Sequence, residues 1–189
     1  SLYVKFKLLD GLYAGAFALA WTTTPWTLPG NMFLALNKNI KYVIAESDGQ
    51  KYILSKGRVA DVFKDKQYKI IGDVKVKDLE GVRYESLFPY FKNKTDCYYI
   101  VLADFVSAEE GTGIVHIAPA FGEDDLQIGL REKIEPICHV KVDGTFVDEV
   151  VQWAGKFVKN QDTNIKDYLD KEGKLFYFEN FTHSYPHCW

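Results

Sequence analysis

Three successive hydroxyls, Thr22, Thr23 and Thr24, stand between the apolar run Ala14 to Trp21 and a loop bounded by Pro25 and Pro29. A threonine hydroxyl both donates and accepts, and β-branching stiffens its rotamer, so such a trio suits the holding of a small polar reactant. A second polar stretch runs Gly111-Thr112-Gly113-Ile114-Val115-His116-Ile117-Ala118-Pro119 and continues through Gly122 to the acidic triplet Glu123-Asp124-Asp125. With period two, Ile114, His116 and Ala118 share one face of a strand and Val115 and Ile117 the other, so His116 points where that first face points. Taken alone, His116 reads as a core residue. The triplet falls in the first turn of an expected helix, where the dipole favours carboxylates and capping is the plain account. One carboxylate turned back toward His116 would place an imidazole and an anion in one pocket, suited to a ligand carrying an ammonium group.

The elements that must position these groups are mostly strands. Tyr3 to Leu8 alternates, Asp10-Gly11 signals a hairpin turn, and Tyr13 to Trp21 is the return strand that delivers the threonines. Pro25 and Pro29 cannot donate to a ladder, so the hydroxyls sit at a strand end. Further strands are expected at Phe33 to Leu36, Tyr42 to Glu46, Lys51 to Ser55, Tyr68 to Gly72 and Tyr98 to Ala103, with Asp48-Gly49 as a second hairpin turn. Helices are expected at Ser55 to Phe63, Glu123 to Lys133 and Thr163 to Glu172, the last capped by Asp162 and stopped by Gly173. Many short strands interrupted by short helices predict an α+β fold, predominantly β, with a curved or closed barrel-like core decorated by short helices.

Composition bounds the rest. With 189 residues, 47% of them apolar, the chain is long enough for one well-cored unit. No apolar run approaches the roughly 20 residues of a membrane span, and Ser1 to Leu9 lacks a signal-peptide core, so a soluble, cytoplasmic, monomeric protein is expected. Three widely spaced cysteines, Cys97, Cys138 and Cys188, make a poor disulfide framework and fit a reducing compartment. A net charge of −3 gives no global attraction to nucleic acid, so any RNA contact must be local.

The threonine peptide Trp21-Thr22-Thr23-Thr24-Pro25-Trp26-Thr27-Leu28-Pro29 and the stretch from Gly111 to Asp125 together resemble the two signature segments of the editing domain of isoleucyl-tRNA synthetase. The resemblance covers essentially the whole chain, including the leading segment Tyr3 to Phe6 and the closing segment Thr182 to Trp189. Residues 1–189 are therefore expected to be a single editing domain of a larger synthetase. Valyl and leucyl relatives carry arginine before the proline of the threonine peptide; Thr24 stands there, which favours the isoleucyl type over the valyl one.

The resemblance implies hydrolysis of valine mischarged on the isoleucine tRNA, at the ester to the terminal ribose, with valyl-adenylate a further conceivable substrate. Valine and isoleucine differ by one methylene, worth only about 1–3 kcal/mol in a pocket, a general magnitude for which this enzyme's own choice between the two amino acids is the standard worked case. A second site that admits and hydrolyses valine completes a double sieve. Aminoacyl esters are already activated, so the site needs an oriented water, a group favouring oxyanion charge and a hold on the ammonium. No histidine or carboxylate lies beside Thr22, Thr23 and Thr24 in sequence, which favours water attack over an acyl-enzyme.

By resemblance, Asp125 holds the substrate α-ammonium, His116 walls the side-chain pocket against isoleucine, and Thr22, Thr23 and Thr24 surround the ester and its water. Trp26 and Asn31 are expected to shape the pocket and contact the terminal nucleotide; core packing and turn formation are their plain alternatives. The expected partners are the 3′ aminoacyl-adenosine of the isoleucine tRNA and the rest of the parent synthetase, with no cofactor in this domain. No adenylation signature or Gly-rich phosphate cradle is present, so ATP binding belongs to other parts of the parent enzyme. Cys138-His139 and His187-Cys188 do not match zinc spacing, and no metal is expected. The lysines between Lys51 and Lys69 read as a solvated surface broken by Asp61 and Asp65. Tyr84, Phe88, Tyr90 and Phe91 fit a core as readily as a base-stacking platform. A β-rich module that grips an RNA acceptor end without catalysis is the competing function.

Overall fold

The computed structural model describes residues 1–93 and 96–179. The expected closing segment Thr182 to Trp189, with His187 and Cys188, lies outside the described residues.

Among the described residues a mixed nine-stranded sheet curls into a half-barrel with a few short helices on it. β1 (Leu2–Lys7) and β2 (Phe17–Thr22) pair antiparallel as expected, in register from Leu2 opposite Thr22 to Lys7 opposite Phe17, but the return strand starts at Phe17 rather than Tyr13, and the loop of residues 8–16 replaces a tight turn at Asp10-Gly11. β3 (Phe33–Leu36) follows a 3-10 turn over Pro25–Gly30, and β4 (Tyr42–Ser47) pairs antiparallel with β5 (Gln50–Ser55) across the Asp48-Gly49 turn. Both turn residues have positive φ, as a two-residue hairpin requires. α1 (Val59–Phe63) leads to the edge strand β6 (Lys69–Val74), then come β7 (Tyr99–Leu102), β8 (Val115–Ile117), α2 (Glu123–Glu132), α3 (Asp162–Lys171) and β9 (Leu175–Phe178).

The sheet forks at β2. One edge of β2 is taken by β1 along its whole length, so its two parallel neighbours share the other: β5 beside Phe17 and Ala18, β8 beside Trp21. Thr112 fills the fork, its carbonyl accepting from the Ser55 amide at 2.8 Å while its hydroxyl bonds Ile114. The flanking glycines have no substitute there. Both have positive φ, and a Cβ on Gly113 would lie 2.5 Å from Ser55 Cβ, one on Gly111 1.6 Å from Trp21 Nε1. Separating β8 from β5 carries the end of β2 alongside His116.

β2 is buried on both faces, which explains its nearly unbroken apolar sequence. Ala18 and Ala20 enter the main core with Phe6, Phe33, Leu34 and Tyr84, whereas Leu19 packs on the opposite side with Val43, Tyr52, Leu54 and Phe63 under α1. Burial of Phe88, Phe91 and Tyr84 places them in the main core, with Tyr90 packed partly against it.

Three further expectations need correction. The helix expected over Ser55 to Phe63 divides into a 3-10 turn at Lys56–Arg58 and the five-residue α1, and it ends where Lys64 turns to φ 48°. Asp162 is the first residue of α3 rather than its cap; Gln161 occupies that position and accepts a hydrogen bond from Asn164. β9 has no counterpart among the expected strands, because Leu175–Phe178 is a short apolar run without alternation whose strand character comes from pairing with β1. Among the described residues no helix is long and apolar enough to cross a membrane.

Candidate functional site

The proline-bounded segment after β2 is wound into a 3-10 turn, with Pro25 in its first positions, where a missing N–H does no harm. This turn folds the threonine peptide back over the end of β8. Leu34 pairs with His116 on the other side, so the histidine is held between β3 and the end of β2.

A cavity of about 310 Å³ opens at this junction. Thr22, Thr23 and Thr24 line one side, with Trp21 and Thr27, and His116 and Asp125 line the other with Val115, Ala118, Phe121 and Gly122. Five of the seven residues singled out by sequence therefore meet in one space. Trp26 and Asn31 do not line it. Trp26 packs edge-on to Phe121, with ring centroids 5.5 Å apart, and Asn31 is buried behind His116. Two hollows elsewhere are larger, about 590 Å³ among Lys38, Lys41, Lys56 and Lys77 and about 620 Å³ beside Cys138. Size does not decide between them, because neither gathers hydroxyls, an imidazole and a carboxylate on facing walls.

The threonines are not equivalent. Thr22 is buried, and its Oγ1 accepts from the Thr24 amide at 3.1 Å and lies 3.3 Å from Thr24 Oγ1, which locks the turn. Thr23 is half-buried, and its hydroxyl has no hydrogen-bond partner among the described residues. That hydroxyl is free for a ligand.

Asp125 stands in the first turn of α2 and reaches back across the turn, where Oδ2 accepts from the Ala118 amide at 2.8 Å. Ala118 shares a strand face with His116, so this bond fixes the carboxylate beside the histidine's wall. Gly122 makes room for it, since a Cβ there would press on Asp125 Cγ at 3.1 Å. Burial pushes the carboxyl up from its ordinary pKa; the Ala118 hydrogen bond opposes this and Asp124 adds to it. A cation arriving at Asp125 would relieve that burden.

His116 is buried and fully engaged. Nδ1 lies 3.0 Å from Asn31 Nδ2 and Nε2 lies 3.0 Å from Thr27 Oγ1. Burial, with a smaller contribution from His139, depresses its pKa to about 3, so the ring is neutral at ordinary pH. His139 is buried between Phe121 and Phe146, with Nε2 donating to the Trp26 carbonyl at 2.9 Å, and burial lowers its pKa to about 4. Cys138, beside it, is exposed, and Cys97 is buried in the core.

No protein-family model matches the chain. Over all 189 residues it is 44% identical to the isoleucine–tRNA ligase of Clostridium acetobutylicum and 43% identical to that of Picrophilus torridus. It spans 18% of the length of either. Among solved structures, the fold superposes on a leucyl-tRNA synthetase CP1 domain, GlLeuRS-CP1, with a TM-score of 0.74 over 96% of this chain and 99% of that one, at 14% identity. The Plasmodium knowlesi cytosolic leucyl-tRNA synthetase editing domain gives a TM-score of 0.65 at 13% identity, covering 93% and 94% of the two chains. The chain has the CP1 editing-domain fold and is related in sequence to one segment of isoleucine–tRNA ligases. Its sequence sides with isoleucine–tRNA ligases, and its curled sheet is the one seen in the leucyl CP1 structures.

Within this CP1 fold, two residues to which the sequence gives no role in the site shape the cavity wall. Thr27 lies inside the threonine peptide but contributes its hydroxyl to His116, and Tyr84 donates to Asn31 Oδ1 at 2.8 Å from the main core. Thr27 is hidden by its more conspicuous neighbours. Tyr84 carries no local signal, since one of twelve tyrosines acquires this role only through the fold.

Proposed function

We propose that this CP1 domain removes valine from mischarged isoleucine tRNA, by hydrolysis of the aminoacyl ester with a positioned water. The convergence of Thr22, Thr23, Thr24, His116 and Asp125 on one small cavity carries this reading. At about 310 Å³ the cavity is near the lower end of ligand sites, roughly 300–1,000 Å³, which suits an aminoacyl group with the rest of the nucleic acid left outside.

Asp125 holds the α-ammonium with the oxygen that Ala118 does not occupy. The neutral ring of His116 is the steric limit on the side chain. Thr23, whose hydroxyl is uncommitted, and Thr24 orient the water and the ester oxygen, while Thr22 keeps the turn in place. A neutral His116 whose two nitrogens are both engaged is unsuited to general-base work, which is consistent with its role as a wall. Trp26 and Asn31 act from behind the wall. Residues 1–189 function as a single editing unit of a larger synthetase, with ATP chemistry assigned to other parts of it.

The test is incubation of the chain with valyl- and isoleucyl-tRNA of the isoleucine acceptor, with and without Asp125→Ala. Fast loss of valine only, abolished by the substitution, is the expected result. Equal and unaccelerated loss of both esters would mean a binding module without catalysis.

A further inference from the structure

The 3-10 turn after β2 leaves one carbonyl without its regular partner. In such a turn each carbonyl accepts from the amide three residues on, and for Trp26 that residue is Pro29, which has no N–H. The donor comes instead from 113 positions away, where Nε2 of His139 lies 2.9 Å from the Trp26 oxygen. A carbonyl can only accept, so Nε2 carries the ring proton and Nδ1 is bare. Nδ1 lies against Gly30, where a Cβ would come within 2.4 Å of it, so the ring reaches the turn because that residue is glycine. It is one of two buried side-chain polar atoms without a hydrogen-bond partner among the described residues. The same ring meets Phe121 edge-on, with centroids 4.6 Å apart, and Phe121 both lines the cavity and packs on Trp26.

We infer that His139 is a positioning residue, an imidazole that replaces the donor Pro29 lacks and, by joining the Trp26 carbonyl to the Phe121 ring, fixes where the threonine peptide sits over the cavity. The inference rests on the hydrolytic reading above for its effect on rate, though not for its geometry. His139 does not line the cavity, so it acts only through the turn and Phe121. At the two ends of the turn the Thr27 amide donates to the Thr24 carbonyl and the Asn31 amide to the Leu28 carbonyl, each at 3.0 Å. The Trp26 carbonyl between them is held from outside. His139 is itself anchored on the segment after α2, its carbonyl accepting from the Val147 amide at 3.0 Å and its ring stacked on Phe146 at 5.7 Å. A neutral ring suffices for this task. Burial lowers its pKa to about 4, so the donor persists across the neutral range with no charge to bury.

The test reads the turn and the reaction separately. Imidazole nitrogen NMR of the unsubstituted chain at neutral pH should show His139 neutral with its proton on Nε2; a proton on Nδ1, or an imidazolium, would overturn the inference. His139→Phe keeps a ring between Phe121 and Phe146 and removes the donor. Hydrogen exchange at the Thr27 and Asn31 amides should then quicken by about tenfold while the amides of β4 and β5 hold, and kcat for valyl-tRNA deacylation should fall by about tenfold with KM unchanged. His139→Gln, whose amide nitrogen reaches the same carbonyl, should restore both. Exchange that quickens equally throughout the sheet, or a Gln variant as impaired as the Phe one, would reduce His139 to a structural residue and sink the proposal. Unaltered exchange and kcat in His139→Phe would sink it as well. If His139→Phe does not fold, His139→Gln decides: exchange and kcat close to those of the unsubstituted chain support the inference, and their loss overturns it. Should the unsubstituted chain hydrolyse neither ester, the hydrolytic reading fails, while exchange and the spectrum still decide whether His139 holds the turn.

Discussion

His116 and Asp125, neighbours in the lining of one cavity, are built on opposite principles. His116 spends both of its ring nitrogens on protein partners and is neutral, whereas Asp125 commits one oxygen to Ala118 and keeps its other oxygen for a ligand. One wall is saturated and rigid, the other incomplete. Under the proposed function the difference separates selectivity from binding: shape would be supplied by a side chain with no polar capacity left, attraction by one held in a poorly solvated place that a cation improves.

Breaking the incomplete wall should have the largest effect. Asp125→Asn keeps the shape and the hydrogen bond from Ala118 but removes the charge; single-turnover deacylation of valyl-tRNA should fall by about a hundredfold or more, since charged partners of buried cations are worth roughly 2–5 kcal/mol. Thermal stability should stay level or rise slightly, because burial already disfavours the anion. Breaking the saturated wall should do the reverse. His116→Ala leaves Asn31 Nδ2 and Thr27 without their partner, and denaturant titration should show a loss of roughly 2–4 kcal/mol. The variant should also accept isoleucyl ester.

Acid sharpens the contrast without mutation. His116 and His139 have folded pKa values of about 3 and about 4, below the ordinary 6.5, so the unfolded chain binds more protons between those values and stability falls as pH falls through that window. At pH 5 each histidine should contribute a loss of about 2 kcal/mol relative to neutral pH, read as a falling unfolding midpoint. Asp125 and Asp162, whose carboxyls burial raises, act with the opposite sign and offset part of it. The smallest effect on stability is expected for Thr23→Ala, within about 0.5 kcal/mol, because no protein partner is lost. The same change should slow deacylation of valyl-tRNA by about tenfold, and an unaltered rate would remove Thr23 from the reaction.

Much of this is legible in the sequence because its signals are local. Alternation over Tyr3 to Leu8, the Asp48-Gly49 turn and the prolines at 25 and 29 each act on adjacent backbone, and the structure follows them to within a residue. The gathering of Thr22 to Thr24 with His116 and Asp125 is approachable through two motifs, each contiguous. Thr27 and Tyr84 are not legible, since a hydroxyl's partner depends on which strand lies opposite. The placement of Asn31 fails for the same reason: a polar residue after Gly30 looks like a turn former or a ligand contact, yet its amide is consumed between Phe33, Tyr84 and His116. Asp162 reads as a cap from its type, but the chain enters α3 one residue earlier.

The fork at β2 also bears on how the protein comes to be active. Its β8 branch pairs Trp21 with Val115, partners separated by about half of the chain, and the cavity lies at that branch. Pairings of such long sequence separation bear a large loop-closure entropy and tend to form after local hairpins. During synthesis the β1–β2 hairpin can close early, carrying all three threonines, but the wall and the carboxylate do not yet exist. The hydrolysis proposed for this cavity would therefore belong to the completed topology alone, and a partly made chain would be chemically silent.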